Sequence, residues 1–203
     1  MPVILVSGFD AWGDLSANPA WLAVEAASPQ LPSDWEIQKI KLPVSWSSAF
    51  EQLRDAWSYD VEAVLCFGVA PIDGVAVERI AINLAEGSDV DGTPPPHPSV
   101  IEDGPAGYWS TLPVDTIHRA LVAAGLPAKL SAHAGTYLCN ALLYQVIDHA
   151  LWTKPGIPVG FIHLSNLKSP GSVDQETLAR AVELAIEATL SGEGDLPQDL
   201  IKA

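Results

Sequence analysis

Short runs of apolar residues recur along the chain, and each of them predicts a β-strand. Residues 3–7 (VILVS) are almost continuously apolar, which is typical of a strand that is covered on both faces. Residues 35–42 instead alternate between polar and apolar positions, which indicates a strand with one exposed face. The predicted strands are 3–7, 35–42, 63–67, 75–84, 128–131 and 158–163.

Between these runs, apolar residues recur at helical spacing. Phe50, Leu53 and Trp57 are three and four residues apart and predict an amphipathic helix. Asn18 and Pro19 suit the cap and the first turn of another helix. Ser172, followed three residues later by Gln175, resembles a capping box. The predicted helices are 20–27, 47–57, 113–124, 137–151 and 172–190.

The order of these elements, βαβαββ-loop-αβαβα, predicts an α/β fold. We expect a single-domain three-layer α/β/α sandwich, in which helices cover both faces of a mostly parallel, twisted sheet. Residues 1–190 are expected to form this domain, and residues 191–203 a C-terminal tail. Residues 85–112 contain many prolines and glycines and predict an irregular loop, of a length that is usually functional or mobile.

Composition and charge narrow the classes of function. Hydrophobic residues make up 48% of the 203 residues, which is typical of a globular protein. The formal net charge of −15, with no basic run to offset it, argues against nucleic acid or an anionic membrane as a partner. Two cysteines without zinc-ligand spacing predict neither a disulfide framework nor a metal site. With no recognisable leader, a cytoplasmic protein is expected.

Three residues are candidates for chemistry. Cys139 precedes an apolar helical pattern, and a helix N-terminus favours a thiolate, although a buried packing cysteine is the alternative. Cys66, in the middle of the apolar run VLCFG, is expected to be a packing cysteine. His163 ends an apolar strand, where it is either a satisfied core histidine or a functional one. Glu78 lies on the same strand face as Ala76, where a carboxylate is costly to bury unless it is paired; an edge strand in water is the alternative. Together the three match a nucleophile, its base and an orienting acid.

Five segments resemble motifs of one family of enzymes. GFDAWGDLSANPAW is similar to the opening GFxPFGxxxxNPS of the pyroglutamyl peptidase I family of cysteine peptidases, and AGTYLCNALLY to its nucleophile motif AGTxxCN. VERIAIN looks like the family's glutamate strand, GFIHLS like its histidine strand and GPAGYWSTLPV like a segment that links them. The five segments occur in the family's order and span nearly the whole chain.

The resemblance implies that Cys139 is the nucleophile, that His163 is the general base and acid, and that Glu78 orients His163. It implies hydrolysis of an N-terminal pyroglutamyl residue from peptides through an acyl-enzyme, without a metal or other cofactor. It also implies a homo-oligomer, commonly a tetramer. The residues that match positions near the family's substrate pocket are Phe9, Trp12, Val69, Tyr137 and Leu138.

The chain also departs from the family pattern. Many members carry an arginine where this chain has Ser88, and phenylalanine is usual where it has Trp12. GVAPID, which contains Val69, replaces a glycine-rich stretch, and GTPPPHP replaces a more polar loop. Two alternatives to the peptidase therefore stay open. One is a binding or regulatory protein of the same fold with low activity, and the other is an amidase for a related blocked N-terminus.

Overall fold

The computed structural model describes residues 1–13, 15–167 and 173–191. Within them, seven strands form one sheet. The strands are β1 (Val3–Phe9), β2 (Glu36–Leu42), β3 (Val61–Ala70), β4 (Val75–Ile82), β5 (Gly107–Trp109), β6 (Ala128–His133) and β7 (Val159–Ser165). Their order is β2-β1-β3-β7-β4-β5, and β6 also pairs with β4. β1, β2, β3 and β7 are mutually parallel, β6 runs parallel to β4, and β4 runs antiparallel to β7 and β5.

Helices cover both faces of this sheet, as predicted. The helices of the described residues are α1 (Pro19–Ala26), α2 (Ala49–Ala56), α3 (Val114–Ala123), α4 (Leu138–Thr153) and α5 (Gln175–Ser191). α1 and α3 each pack against α5 on one face, whereas α2 and α4 pack together on the other. The predicted three-layer α/β/α sandwich with a mostly parallel sheet is confirmed.

The two faces of the central strands carry two separate apolar cores. Alternation along β1 directs Ile4 and Val6 toward the core that α1, α3 and α5 close, and Leu5 toward the core closed by α2 and α4. β1 and β7 are buried along their whole length. This explains why both read as continuous apolar runs and not as alternating ones.

Local sequence signals explain two of the helix starts. The backbone N–H of Ala20 donates to Asn18 Oδ1 at 2.9 Å, which confirms the predicted cap of α1. At the start of α5 the N–H of Thr177 donates to Asp174 Oδ1 at 2.8 Å. Asp174 therefore caps this helix, while Ser172 of the predicted capping box lies outside the described residues, as do residues 192–203 of the predicted tail.

The long proline- and glycine-rich segment differs from the prediction in two ways. It contains a strand, β5, because Gly107–Trp109 pairs antiparallel with Ile80–Ile82 at the end of β4, beyond the residues that pair with β7. The rest is irregular but is held in place by hydrogen bonds. The side chain of Asn83 bonds to the backbone of Ile101 and Gly104, and the Tyr144 hydroxyl donates to the carbonyl of Pro105 at 2.7 Å. Three residues without alternation were too short a pattern to predict β5.

The third strand, β3, also ends later than the sequence predicts. β3 continues beyond residue 67, because Gly68, Val69 and Ala70 pair with His163, Leu164 and Ser165 of β7. This extension carries β3 to the same edge of the sheet as the candidate histidine.

No helix among the described residues is long and apolar enough to cross a bilayer.

Candidate active site

Cys139 lies in the first turn of α4, at the carboxyl ends of the parallel strands. The helix begins at Leu138, after Tyr137 in an extended conformation, and no side chain caps it. The first intrahelical bond runs from the N–H of Ala141 to the carbonyl of Tyr137, so the amides of residues 138–140 have no partner within the helix. These amides and the helix dipole favour a negative charge near Cys139.

His163 and Glu78 come from neighbouring strands and are bonded to each other. Because β7 and β4 are antiparallel with Ala76 opposite His163, Glu78 lies diagonally across from the histidine. His163 Nδ1 is 2.7 Å from Glu78 Oε1, and the two residues are only 7% and 2% exposed. The alternative of Glu78 on an edge strand in water is wrong, since β4 lies between β7 on one side and β6 on the other.

The electrostatics of this group favour a charged imidazole. Burial by itself would lower the pKa of His163, but the neighbouring Cys139 sulfur, which is also hydrogen-bonded to it, and the Glu78 carboxylate outweigh burial and raise the pKa from 6.5 to about 9. Since Nδ1 faces Glu78, Nε2 is the ring atom left for Cys139. The three predicted residues thus form one connected chain: sulfur, imidazole and carboxylate.

Gly68 gives the Cys139 sulfur its space. It is the direct neighbour of His163 on β3, and a Cβ placed there would lie 3.0 Å from Cys139 Sγ and 2.7 Å from the ring of Phe161. Such contacts are too short for any larger residue without displacement of the thiol. The absence of a side chain at Gly68 therefore leaves room for both the thiol and the Phe161 ring.

Cys66, the second cysteine, is a buried core residue. It is fully buried in the core under α4, and burial raises the pKa of its thiol to about 12. Cys139 is only partly buried. The two cysteines therefore differ as the sequence predicts: one is an inert, neutral thiol and the other lies at a helix N-terminus beside an imidazole.

A pocket of about 380 Å³ opens over Cys139, His163 and Glu78. All five residues that were predicted to bind substrate lie in its wall, namely Phe9, Trp12, Val69, Tyr137 and Leu138. Val44, Pro71 and Ile72 add further apolar surface. Within the described part of the chain no group of three or more His, Cys, Asp or Glu side chains is arranged to hold a metal ion.

Comparison with known proteins agrees with this geometry. The family model described as pyroglutamyl peptidase matches residues 2–192. The chain belongs to the pyroglutamyl peptidase family. Its relatives include the pyrrolidone-carboxylate peptidase of Brevibacillus brevis, which is 36% identical over 97% of this chain and 96% of its own length. That of Bacillus cereus is 31% identical over the same shares of the two chains.

Solved structures of pyroglutamyl peptidases have the same fold. The chain is similar to pyroglutamyl peptidase I of Bacillus amyloliquefaciens with a TM-score of 0.89, at 30% identity over 97% of this chain and 100% of that one. The pyrrolidone carboxyl peptidase of Thermococcus litoralis superimposes with a TM-score of 0.84, at 30% identity over 94% of each chain.

The departures from the pyroglutamyl peptidase pattern have clear places in the structure. Ser88 is exposed and lies outside the pocket wall, but its carbonyl accepts the Tyr137 hydroxyl at 2.9 Å. Trp46 packs edge-on against the same tyrosine, with 5.4 Å between ring centroids. This segment thus positions an aromatic wall of the pocket through its backbone. Trp12 is 45% exposed and lies at the pocket rim.

Asn140 is a buried residue next to Cys139 that the sequence reasoning did not single out. Its side chain accepts from the N–H of Ile82 at 2.9 Å and donates to the carbonyls of Ile82 and Leu84 at 2.8 and 3.0 Å. It therefore ties the first turn of α4, which carries Cys139, to the end of β4, which carries Glu78. A buried asparagine must be hydrogen-bonded, and an asparagine in the first turn of an apolar helical pattern was the signal available in the sequence.

We expect Asn140→Ala to misplace Cys139 as well as to lower stability. The buried N–H of Ile82 would lose its acceptor, which costs about 1–3 kcal/mol of unfolding free energy. We further expect kcat on a pyroglutamyl substrate to fall about tenfold or more, since small displacements at a reacting centre are costly. Thermal unfolding and steady-state kinetics on the same preparations measure the two effects.

Asn83→Ala is the matched control for Asn140→Ala. Asn83 makes the same number and kind of hydrogen bonds, but to the backbone of Ile101 and Gly104 in the long loop. Asn83→Ala should therefore lower the melting temperature but change kcat much less than Asn140→Ala does. Equal losses of kcat in the two variants would show that Asn140 acts only through stability.

Proposed function

We propose that this protein removes an N-terminal pyroglutamyl residue from peptides by attack of the Cys139 sulfur on the carbonyl carbon that follows the lactam ring. Membership of the pyroglutamyl peptidase family supports this reaction. The observation that carries the assignment of roles is the chain from Cys139 through His163 to Glu78, with 2.7 Å between the last two, at the floor of an apolar pocket.

In the first half of the reaction, Cys139 acts as a thiolate and His163 as an imidazolium. The raised pKa of His163 supports this pairing at neutral pH. The sulfur bonds to the carbonyl carbon, and the oxygen takes up the negative charge beside the free amides of residues 138–140, the kind of donors that stabilise an oxyanion. His163 Nε2 then donates its proton to the departing amine, and the carbon–nitrogen bond breaks.

In the second half, water releases the acyl group. His163, now neutral, takes a proton from a water molecule that attacks the thioester carbon. The carbon–sulfur bond then breaks, and the products are pyroglutamate and the Cys139 thiolate beside a protonated His163. Glu78 accepts the Nδ1 proton in a hydrogen bond throughout, so it holds the tautomer and stabilises the imidazolium without itself being protonated.

The pocket wall suits a neutral lactam better than an ordinary N-terminus. Phe9, Val69 and Leu138 present apolar surface on the acyl side. A free α-ammonium would need a carboxylate, and the one carboxylate among the described lining residues is Glu78, which is already bonded to His163. A pyroglutamyl group has no ammonium and needs only shape and amide hydrogen bonds.

Two further expectations accompany this proposal. The protein is expected in the cytoplasm, and it is expected to form a homo-oligomer, commonly a tetramer in the family that the sequence resembles. The catalytically weak binding protein and the amidase for another blocked N-terminus are the alternatives. They differ from the proposal in the rate with a pyroglutamyl substrate and in the selectivity among blocked N-termini.

The test is release of a fluorogenic amine from a pyroglutamyl amide by the reduced, full-length protein. Prolyl and glutamyl amides of the same dye serve as controls, because they differ from the substrate by the ring carbonyl or by the ring itself. We expect hydrolysis of the pyroglutamyl amide and little of the other two. Absence of turnover by folded protein would favour the binding alternative, and faster hydrolysis of another blocked substrate, such as the N-acetylprolyl amide of the same dye, would favour the amidase.

A further inference from the structure

The pocket has a second, polar side that the mechanism leaves without a role. Beyond Glu78, its wall is formed by Lys129, Ser131 and His133, which are alternate residues of β6. Alternate residues of a strand share one face, so these three side chains line the same side of the sheet as Glu78 and His163. Phe9 of β1 and Val69 of β3 line the pocket on the opposite side of β7.

This arrangement assigns the two sides of the pocket to the two products. His163 must lie within hydrogen-bond reach of the departing nitrogen, because it protonates that nitrogen. If the lactam occupies the apolar side formed by β1, β3 and the start of α4, the departing peptide extends across β4 toward β6. The polar strip on β6 therefore faces the first residues after the scissile bond.

Strand register places Lys129 at a suitable distance from the reacting centre. Ala76 is the direct partner of His163 on one side and of Lys129 on the other, so the three residues form one row across three adjacent strands. At about 4.8 Å per strand, the backbones of Lys129 and His163 are about 10 Å apart. The four-carbon stem of a lysine reaches about 6 Å from its Cα. An anionic group a few ångströms beyond the departing nitrogen is thus within its reach.

Lys129 is also the one lysine or arginine of the described chain without a partner. The other described lysines and arginines each make a hydrogen bond or an ion pair: Lys39, Lys41, Arg54, Arg79, Arg119, Lys154 and Arg180. In a chain with a net charge of −15 and abundant carboxylates, an exposed lysine that pairs with none of them while lining the pocket is left available for a ligand.

We propose that Lys129 binds a carboxylate on the departing side of the scissile bond, and that the protein therefore favours pyroglutamyl peptides whose second residue carries one. This rests on the proposed function, which it refines by naming a substrate class. The carboxylate has two sources: the C-terminus of a pyroglutamyl dipeptide, or the side chain of an acidic second residue. Both lie a few bonds from the departing nitrogen and have the same chemistry toward a lysine.

Two pairs of substrates separate these sources. Pyroglutamyl-alanine is compared with pyroglutamyl-alaninamide, and pyroglutamyl-glutamate amide with pyroglutamyl-glutamine amide. Within each pair only the charge changes, so the measured quantity is the ratio of kcat/KM for the acid to that for the amide. A change common to both substrates, including a loss of folded protein, cancels in this ratio.

We expect the ratio to exceed one in at least one pair, by about three- to fivefold for a solvent-accessible ion pair. It should fall as salt is added, because screening weakens such a pair. Lys129→Met should bring it to about one or below, Lys129→Glu should lower it further, and Lys129→Arg should preserve it. Lys41→Gln removes the same charge from β2, at the far edge of the sheet, and should keep the ratio of the unchanged protein.

Three outcomes would contradict the proposed role of Lys129. A ratio of one or less in both pairs, or a preference that survives in Lys129→Met, would overturn the role of Lys129 even though the neutral substrates are hydrolysed. An equal fall of the ratio in Lys41→Gln would assign the effect to net charge. If no pyroglutamyl substrate is hydrolysed, including the fluorogenic amide, the proposed function itself fails and this inference with it.

Discussion

Cys139→Ala is expected to abolish hydrolysis of a pyroglutamyl amide, with a fall in kcat of at least about 10⁴-fold, as when the nucleophile of a triad is removed. The other thiol of the chain cannot replace it, because Cys66 is buried in the core, and His163 is bonded to Glu78 through Nδ1. Binding of substrate should survive better than turnover, since the apolar wall of the pocket is unchanged. Release of the fluorogenic amine under saturating substrate measures the loss.

Cys66→Ala provides the matched control for this prediction, because it removes the other thiol of the chain. It should lower thermal stability, through a small cavity under α4, and retain most of kcat. Iodoacetamide at neutral pH should modify Cys139 rapidly and leave Cys66 intact, since burial raises the pKa of the Cys66 thiol to about 12. Activity that survives in Cys139→Ala but disappears in Cys66→Ala would overturn the assignment of the nucleophile.

Glu78→Gln is expected to lower kcat about 10²- to 10⁴-fold, the range typical of acid–base groups. The amide keeps the shape of the side chain, and its oxygen can still accept the Nδ1 proton of His163, but the negative charge is lost. That charge is one of the influences that raise the pKa of His163 to about 9 against the effect of burial. Without it, a smaller fraction of the enzyme holds the imidazolium that protonates the departing amine.

The pH profile distinguishes this electrostatic role from a purely structural one. Because the pKa of His163 is raised above its ordinary value of 6.5, the imidazolium is present at pH 7 and loses its proton as the pH rises through about 9. The alkaline limb of kcat/KM, a property of the coupled Cys139–His163 pair, should lie near that pH and move to lower pH in Glu78→Gln.

Glu183→Gln is the control for the loss of one carboxylate. Glu183 pairs with Arg180 on α5, in the helix layer on the opposite face of the sheet from α4. This variant should keep the alkaline limb of the unchanged protein. If the limb of Glu78→Gln also stays in place while kcat falls, Glu78 acts by positioning the imidazole and not through its charge.

Much of the site was predictable because its residues violate local rules in recognisable ways. A glutamate on the buried face of a strand, a histidine at the end of an apolar run and a cysteine at a helix start each need an explanation that packing alone does not supply. The resemblance of their flanking motifs to one family joined the three. Asn140 carried the same kind of signal, a polar group beside an apolar helix, yet it was not recognised, because nothing in the sequence shows which carbonyls it meets.

By itself, the sequence determined the alternation of strands and helices, the three-layer class, the distinction between Cys139 and Cys66 and the cap at Asn18. These follow from periodicity, burial and side-chain chemistry within a few residues. Only the tertiary structure decided that β4 runs antiparallel to β7, which places Glu78 diagonal to His163. It also decided that Gly68 leaves room for the sulfur, that Gly107–Trp109 pairs with β4, and that Lys129 shares a row with His163. Each of these depends on register between segments far apart in the chain, and register is set by the packing of the whole sheet and not by any local pattern.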